Sequence, residues 1–135
     1  MECSLLYVSR KTIDSAGEEA AVADIVAFAL SRNADLGVTG ALASTTANFA
    51  QILEGPKAAI DMLMESIRRD PRHEDVTVLR VSGIVKRSFP DWSMAYAGPS
   101  TFVARQIEPL VGNDPLEDST RIDRLISLLV GLAGK

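Results

Sequence analysis

The sequence predicts an α+β domain, and three observations carry that expectation. Two segments place apolar residues at helical spacing, the rest of the body breaks into short runs alternating with period two, and the pieces follow the order β-α-β-β-α-β-β. A chain of 135 residues, 47% hydrophobic and 24% charged, has enough apolar material for one core without metal or disulfide support.

Each element has its own signature. In "CSLLYVS", Leu5, Tyr7 and Ser9 fall on one face and Leu6 and Val8 on the other, which is a strand. Ala21, Val22, Ile25, Val26, Ala29 and Leu30 then recur at helical spacing, with acids early and Arg32 late, so a helix is expected from about Gly17 to Asn33. "GVTGALAS" and "ANFAQILE" read as two strands of a hairpin joined by the polar "TTA". Pro56 opens the next helix, Ile60, Leu63, Met64 and Ile67 run along one side of it, and Pro71 stops it. "DVTVLRVSGIVKR" is apolar at Val76 and Val78, with Leu79 a candidate third inward residue, and the shorter "DWSMAY" is the last strand.

This order is the split βαβ arrangement of ferredoxin-like folds, with two helices on one face of the sheet. The far face, carrying Leu6, Val8, Ala50 and Ile52, then needs cover. "TFVARQIEPLV" and "STRIDRLISLLVGLA" are both amphipathic, the second with Ile122, Leu125, Ile126, Leu129 and Leu132 on one stripe. The expected organisation is a body over 1–98 and a helical extension over 99–135 that packs on the sheet, in this chain or in a dimer partner.

Composition narrows the function. A net charge of −4 and a pI near 4.9 argue against nucleic acid, whose phosphates need a concentrated basic surface. No apolar stretch is long enough to span a bilayer, the N-terminus does not read as a secretory leader, and the lone Cys3 cannot form an intramolecular disulfide. A cytoplasmic setting is expected. Catalytic patterns are weak: His73 is the one histidine, "GVTG" lacks the spacing of a phosphate loop, and the many carboxylates read as solvated helix faces.

Polar groups on the helix-facing side of the sheet are more informative. Gln51 shares its face with Phe49 and Leu53, and an unpaired buried amide group costs about 1 to 3 kcal/mol, so it needs either solvent or polar partners. Tyr7 has the same parity in the first strand, Trp92 and Met94 share a face of the last, and Asn33 closes the first helix. Each has an ordinary structural reading: a core aromatic, an edge amide, a helix C-terminal residue, a core filler.

Together these residues fall in a recognisable pattern. Over about residues 4 to 97, "LLYVSR", "DIVAFALSRNADLGVTGAL", "NFAQILEG", "DPRH" and "RSFPDWSMAY" follow one another in the order and spacing of the BLUF family, blue-light sensors using flavin, which the sequence resembles. The resemblance implies a flavin between the two helices, with Ile25 and Ile67 on its two sides and Asn33 bonding its carbonyl and N3 edge. It implies that Gln51 is the switch amide, that Tyr7 is its partner and light-driven electron donor, and that Trp92 and Met94 are an exchangeable pair sensing Gln51. Asp70, Arg72 and His73 match the motif near the ribityl side.

With little sequence beyond the C-terminal helices, a stand-alone, non-enzymatic sensor is expected, one that signals through a separate protein effector or through a change of homodimer or larger homo-oligomer. Ser66 stands where many members carry a basic residue toward the flavin tail, which leaves FAD, FMN and riboflavin as alternatives, FAD first. "ALAST" and "TTAN" also depart from the family's usual hairpin. Two rivals stay in view: a ferredoxin-like binding or oligomerisation module without chromophore, and a small enzyme acting through Asp70 and His73.

Overall fold

The computed structural model describes residues 2–12, 18–98, 100–112 and 119–133. Its elements are β1 (Glu2–Lys11), α1 (Glu18–Leu36), β2 (Thr39–Ser44), β3 (Asn48–Pro56), α2 (Lys57–Arg69), β4 (His73–Gly83), β5 (Trp92–Ala97), α3 (Thr101–Ile107), a 3-10 turn (Glu108–Leu110) and α4 (Ser119–Ala133). The five strands form one sheet in the order β4-β1-β3-β2-β5, antiparallel except for the β2–β5 pair. This is the α+β, ferredoxin-like arrangement expected from the sequence.

Side-chain alternation splits the core into two layers, one on each face. On the near face, Leu5, Tyr7, Leu42, Phe49, Leu53 and Trp92 pack against Ala59, Ile60, Leu63 and Met64 of α2, with Ile25, Val26 and Ala29 of α1 partly buried beside them. On the far face, Leu6, Val8, Ala41, Ala43, Ala50 and Ile52 meet Val103 and Ile107 of α3 and Ile122, Leu125 and Leu129 of α4. The cover of the far face is therefore this chain's own C-terminal helices. Each fully buried aliphatic side chain contributes roughly 2 kcal/mol by leaving water, so the apolar stripe of α4 is what holds it down.

Three boundaries differ from the sequence expectation. α1 continues past Asn33 to Leu36 and stops at Gly37, whose φ of +70° is the left-handed position that a helix C-terminus offers to glycine. Gly37 N donates to Ala34 O and Val38 N to Asn33 O, the paired bonds of a Schellman motif. β4 starts at His73 and ends at Gly83, so 84–91 is a connection rather than strand. Within β4 the register against β1 shifts twice: Leu6 faces Arg80 while Tyr7 faces Val78, so Leu79 is the extra residue and its side chain turns to the far face. Val76 and Val78 keep the near face.

Gly40 is required by β3. A Cβ there would lie 1.9 Å from the Ile52 carbonyl oxygen, and φ at Gly40 is +150°. Its N–H donates to Asp91 O at 3.1 Å, which sets the entry of β5 alongside β2.

Candidate functional site

One row of residues runs straight across the sheet: Val78 of β4 faces Tyr7, Tyr7 faces Gln51, Gln51 faces Leu42, and Leu42 faces Met94. Register alone therefore puts Tyr7 beside Gln51 on the near face. Gln51 Nε2 donates to Tyr7 Oη at 2.6 Å, and the Trp92 indole Nε1 reaches over β2 to donate to Gln51 Oε1 at 2.9 Å. Gln51, 6% exposed, thus has partners on both ends of its amide, which answers why an amide sits in an apolar strand. Burial pushes the Tyr7 phenol well above its ordinary value, so it stays protonated at neutral pH. Met94 is half-buried against the same core.

Tyr7 and Gln51 form the floor of a cleft between α1 and α2 whose enclosed space is about 80 Å³. Ile25 and Ala29 of α1 and Leu63 and Ile67 of α2 line it, as do Asn33, Asp70, Arg72 and His73. Of the residues named from the sequence, Tyr7, Ile25, Asn33, Gln51, Ile67, Asp70, Arg72 and His73 all border this one space, while Trp92 connects to it through Gln51.

The "DPRH" segment folds by local rules. Asp70 precedes a proline and is held at φ −71°, ψ 120°, which ends α2. Its carboxylate accepts from Arg72 N at 2.9 Å, a two-residue side-chain turn, and from the Arg72 guanidinium through Nε and Nη2, the latter at 2.6 Å. This hydrogen bonding to Arg72 lowers the Asp70 pKa and raises that of Arg72. His73 then starts β4 with Nδ1 sharing a 2.8 Å hydrogen bond with Ser9 Oγ, and its ring lies 4.7 Å from that of Phe49. Burial lowers its pKa to about 4, so the imidazole is neutral at pH 7. Asp70 and His73 are committed to different partners, Arg72 and Ser9, and do not form an acid–base dyad.

Sequence reasoning does not single out Ser9, Phe28 or Leu42 as site residues. Ser9 shares the parity of Tyr7, so its place beside His73 was available as a signal. Phe28, 59% exposed at the mouth, follows Ile25 by three residues and so lies on the cleft side of α1, a spacing that was available as a signal. Among the described residues no group of His, Cys, Asp and Glu is placed to hold a metal ion, and no helix is long and apolar enough to cross a membrane.

The chemistry of the lining states what fits. Asn33 is 3% exposed and borders the cleft. Branched aliphatic walls on two helices, with amides from Asn33 and Gln51 at the rim, suit a flat ring with apolar faces and a polar edge. A flavin is such a ring.

Fold and cleft together define a small α+β domain with a cleft between two helices whose lining suits a flat heteroaromatic. Residues 3–95 match the family model for sensors of blue light using FAD, and the chain belongs to this BLUF family. It is 37% identical over 95 residues to the photoactivated adenylate cyclase subunit beta of Euglena longa, an alignment covering 70% of this chain and 11% of that protein. The chain thus spans about a tenth of the length of the curated relatives it matches. Among solved structures it is similar to the dark state of BlrB, a BLUF protein, with 34% identity and a TM-score of 0.73 over 93% of this chain and 95% of that one. It is also similar to the photo-activated state of BlsA, with 26% identity and a TM-score of 0.78 over 96% and 95%. The family is one of flavin-using blue-light sensors, and the cleft carries residues that fit that cofactor.

Proposed function

We propose that this chain is a blue-light photoreceptor in which Tyr7 and Gln51 convert absorption in the cleft into a rearranged hydrogen-bond network. The observation that carries the reading is the three-way connection Tyr7–Gln51–Trp92, with a donor and an acceptor of one amide engaged by two aromatic residues. A bound flavin supplies blue absorption and, when excited, strong oxidising power.

The roles follow from the atoms. Ile25 and Ile67 wall the ring and Asn33 offers its amide to the polar edge. The Tyr7 phenol gives up an electron and its Oη proton, and recovers both. While Tyr7 is a neutral phenoxyl its Oη carries no proton and can only accept, which alters the hydrogen bonding around Gln51, and the amide rotates or tautomerises. Rotation would turn the amide N–H groups toward the Trp92 N–H, which is a donor only, so Trp92 must give way. Met94, on the same face of β5, is the side chain placed to take up that space. Asp70, Arg72 and His73 hold the ribityl side.

FAD is the preferred form, in keeping with the family description, with FMN and riboflavin as alternatives. Residues 1–98 would form the sensing body and 99–135 the helical cap through which output passes to a separate protein or to a homo-oligomer, in the cytoplasm and without enzymatic turnover of its own. The likeness to BlrB and BlsA over 95% of each of those chains supports a sensor of this size.

The test is the visible spectrum of purified protein in the dark and immediately after blue illumination. A flavin band that shifts slightly red, relaxes thermally, and stops shifting in Gln51→Leu is the expected result. Simple bleaching, or a colourless protein that does not take up FAD, would end the proposal.

A further inference from the structure

Glu54 is 2% exposed at the end of β3, three residues beyond Gln51 on the opposite face. A buried carboxylate is costly unless hydrogen-bonded. Its Oε1 accepts the backbone N–H groups of both Ser88 and Phe89 at 2.8 Å. Charge-assisted bonds to two successive amides fix a loop in orientation as well as position.

That loop leads directly into Trp92. Phe89 anchors it a second time by burying its ring in the far-face core, Pro90 follows with a restricted φ, and Asp91 O accepts from Gly40 N at 3.1 Å. Five residues, Ser88 to Trp92, therefore join the Glu54 carboxylate to the indole that holds Gln51. The connection closes a ring: Gln51 along β3 to Glu54, across to Ser88 and Phe89, along to Trp92, and back to Gln51.

We propose that Glu54 is a positioning residue for the Trp92–Gln51 contact: its carboxylate sets the approach of the Ser88–Trp92 segment so that the indole N–H reaches the Gln51 amide oxygen. The inference deepens the proposed function, in which Trp92 and Gln51 act as a pair, but its test needs neither light nor flavin.

Trp92 is the one tryptophan in the chain, so a single indole N–H resonance reports on it. That resonance and the tryptophan emission maximum are measured in full-length protein under native conditions, with Gln51→Leu giving the value of an unbonded indole. In Glu54→Leu both are expected to move most of the way to the Gln51→Leu values, while Glu54→Gln, which keeps an oxygen that can accept both amides, stays at wild type. Leu125→Ala, a far-face core change, lowers stability without moving either signal. Glu54→Asp, one methylene shorter, substitutes for the leucine variant if that does not fold, and is expected to lie between the extremes. Wild-type signals in the folded Leu or Asp variant, or an equal shift in Leu125→Ala, would overturn the proposal. A protein with no light response but a Glu54-dependent indole would instead fail the photoreceptor reading alone.

Discussion

Trp92 donates its indole N–H to Gln51 Oε1 at 2.9 Å, and this bond decides which way round the Gln51 amide lies. Indole nitrogen is a donor only, so the amide oxygen must face Trp92 and Nε2 must face Tyr7. The Tyr7 hydroxyl then accepts from Gln51, which leaves its own proton free for another acceptor. Under the proposed photochemistry an inward-pointing Trp92 would compete with Tyr7 as an electron donor. Trp92→Phe is therefore expected to lengthen the excited-state lifetime of bound flavin, measured by time-resolved fluorescence; an unchanged lifetime would mean that Trp92 does not take part.

Tyr7→Phe removes the acceptor for Gln51 Nε2 and the phenolic proton together. Flavin uptake should persist, because the aliphatic walls and Asn33 remain, while the light-induced red shift disappears. An orphaned buried N–H costs about 1 to 3 kcal/mol, so urea titration should show a stability loss of that order. A retained red shift would remove Tyr7 from the mechanism.

Acid should weaken the fold through His73. Its pKa falls from 6.5 to about 4 on folding, so the unfolded chain binds the extra proton first and stability rises with pH across that interval. The neutral-ring contribution is fully present above 6.5, declines as pH drops toward 4, and amounts at most to roughly 3 kcal/mol. Asp70, lowered chiefly by its bonds to Arg72, adds a further loss below the ordinary carboxylate range. Urea midpoints measured from pH 7 to 4.5 should fall in the wild type and fall less in His73→Gln. Parallel slopes would show that His73 is not the titrating group.

Leu125 is fully buried between α4 and the sheet. Leu125→Ala should cost about 2 to 5 kcal/mol by leaving a cavity, whereas Val130→Ala, at a position 39% exposed, should cost much less. Equal, small effects would mean that α4 does not rest on the sheet in solution.

Much of this architecture was legible in the sequence because it rests on period. Strand parity placed Tyr7 and Gln51 on one face, and the pairing of β1 with β3 needed only the hairpin and helix lengths to bring them opposite. The end of α1 was misjudged because the stop lies in the left-handed Gly37 rather than in the polar Asn33. Leu79 escaped because a bulge changes parity within a strand, and no local residue type announces it. The Glu54 bonds to Ser88 and Phe89 join segments 34 and 35 residues apart through backbone amides, which carry no side-chain signature at all. The Ser9–His73 contact likewise depends on the placement of β4 beside β1.

Every residue of β3 from Asn48 to Gly55 is buried, so this strand is a party wall between two dry rooms, one holding the cleft and the other α3 and α4. Such a wall cannot slide. A slip of one residue would push the Gln51 amide among the leucines of α4 and Ile52 into the cleft, losing both cores at once. What remains open to β3 is bowing and twisting, and because Gln51 is flanked in the chain by Ala50 and Ile52, any such flexure is felt on the helical side within a single peptide unit.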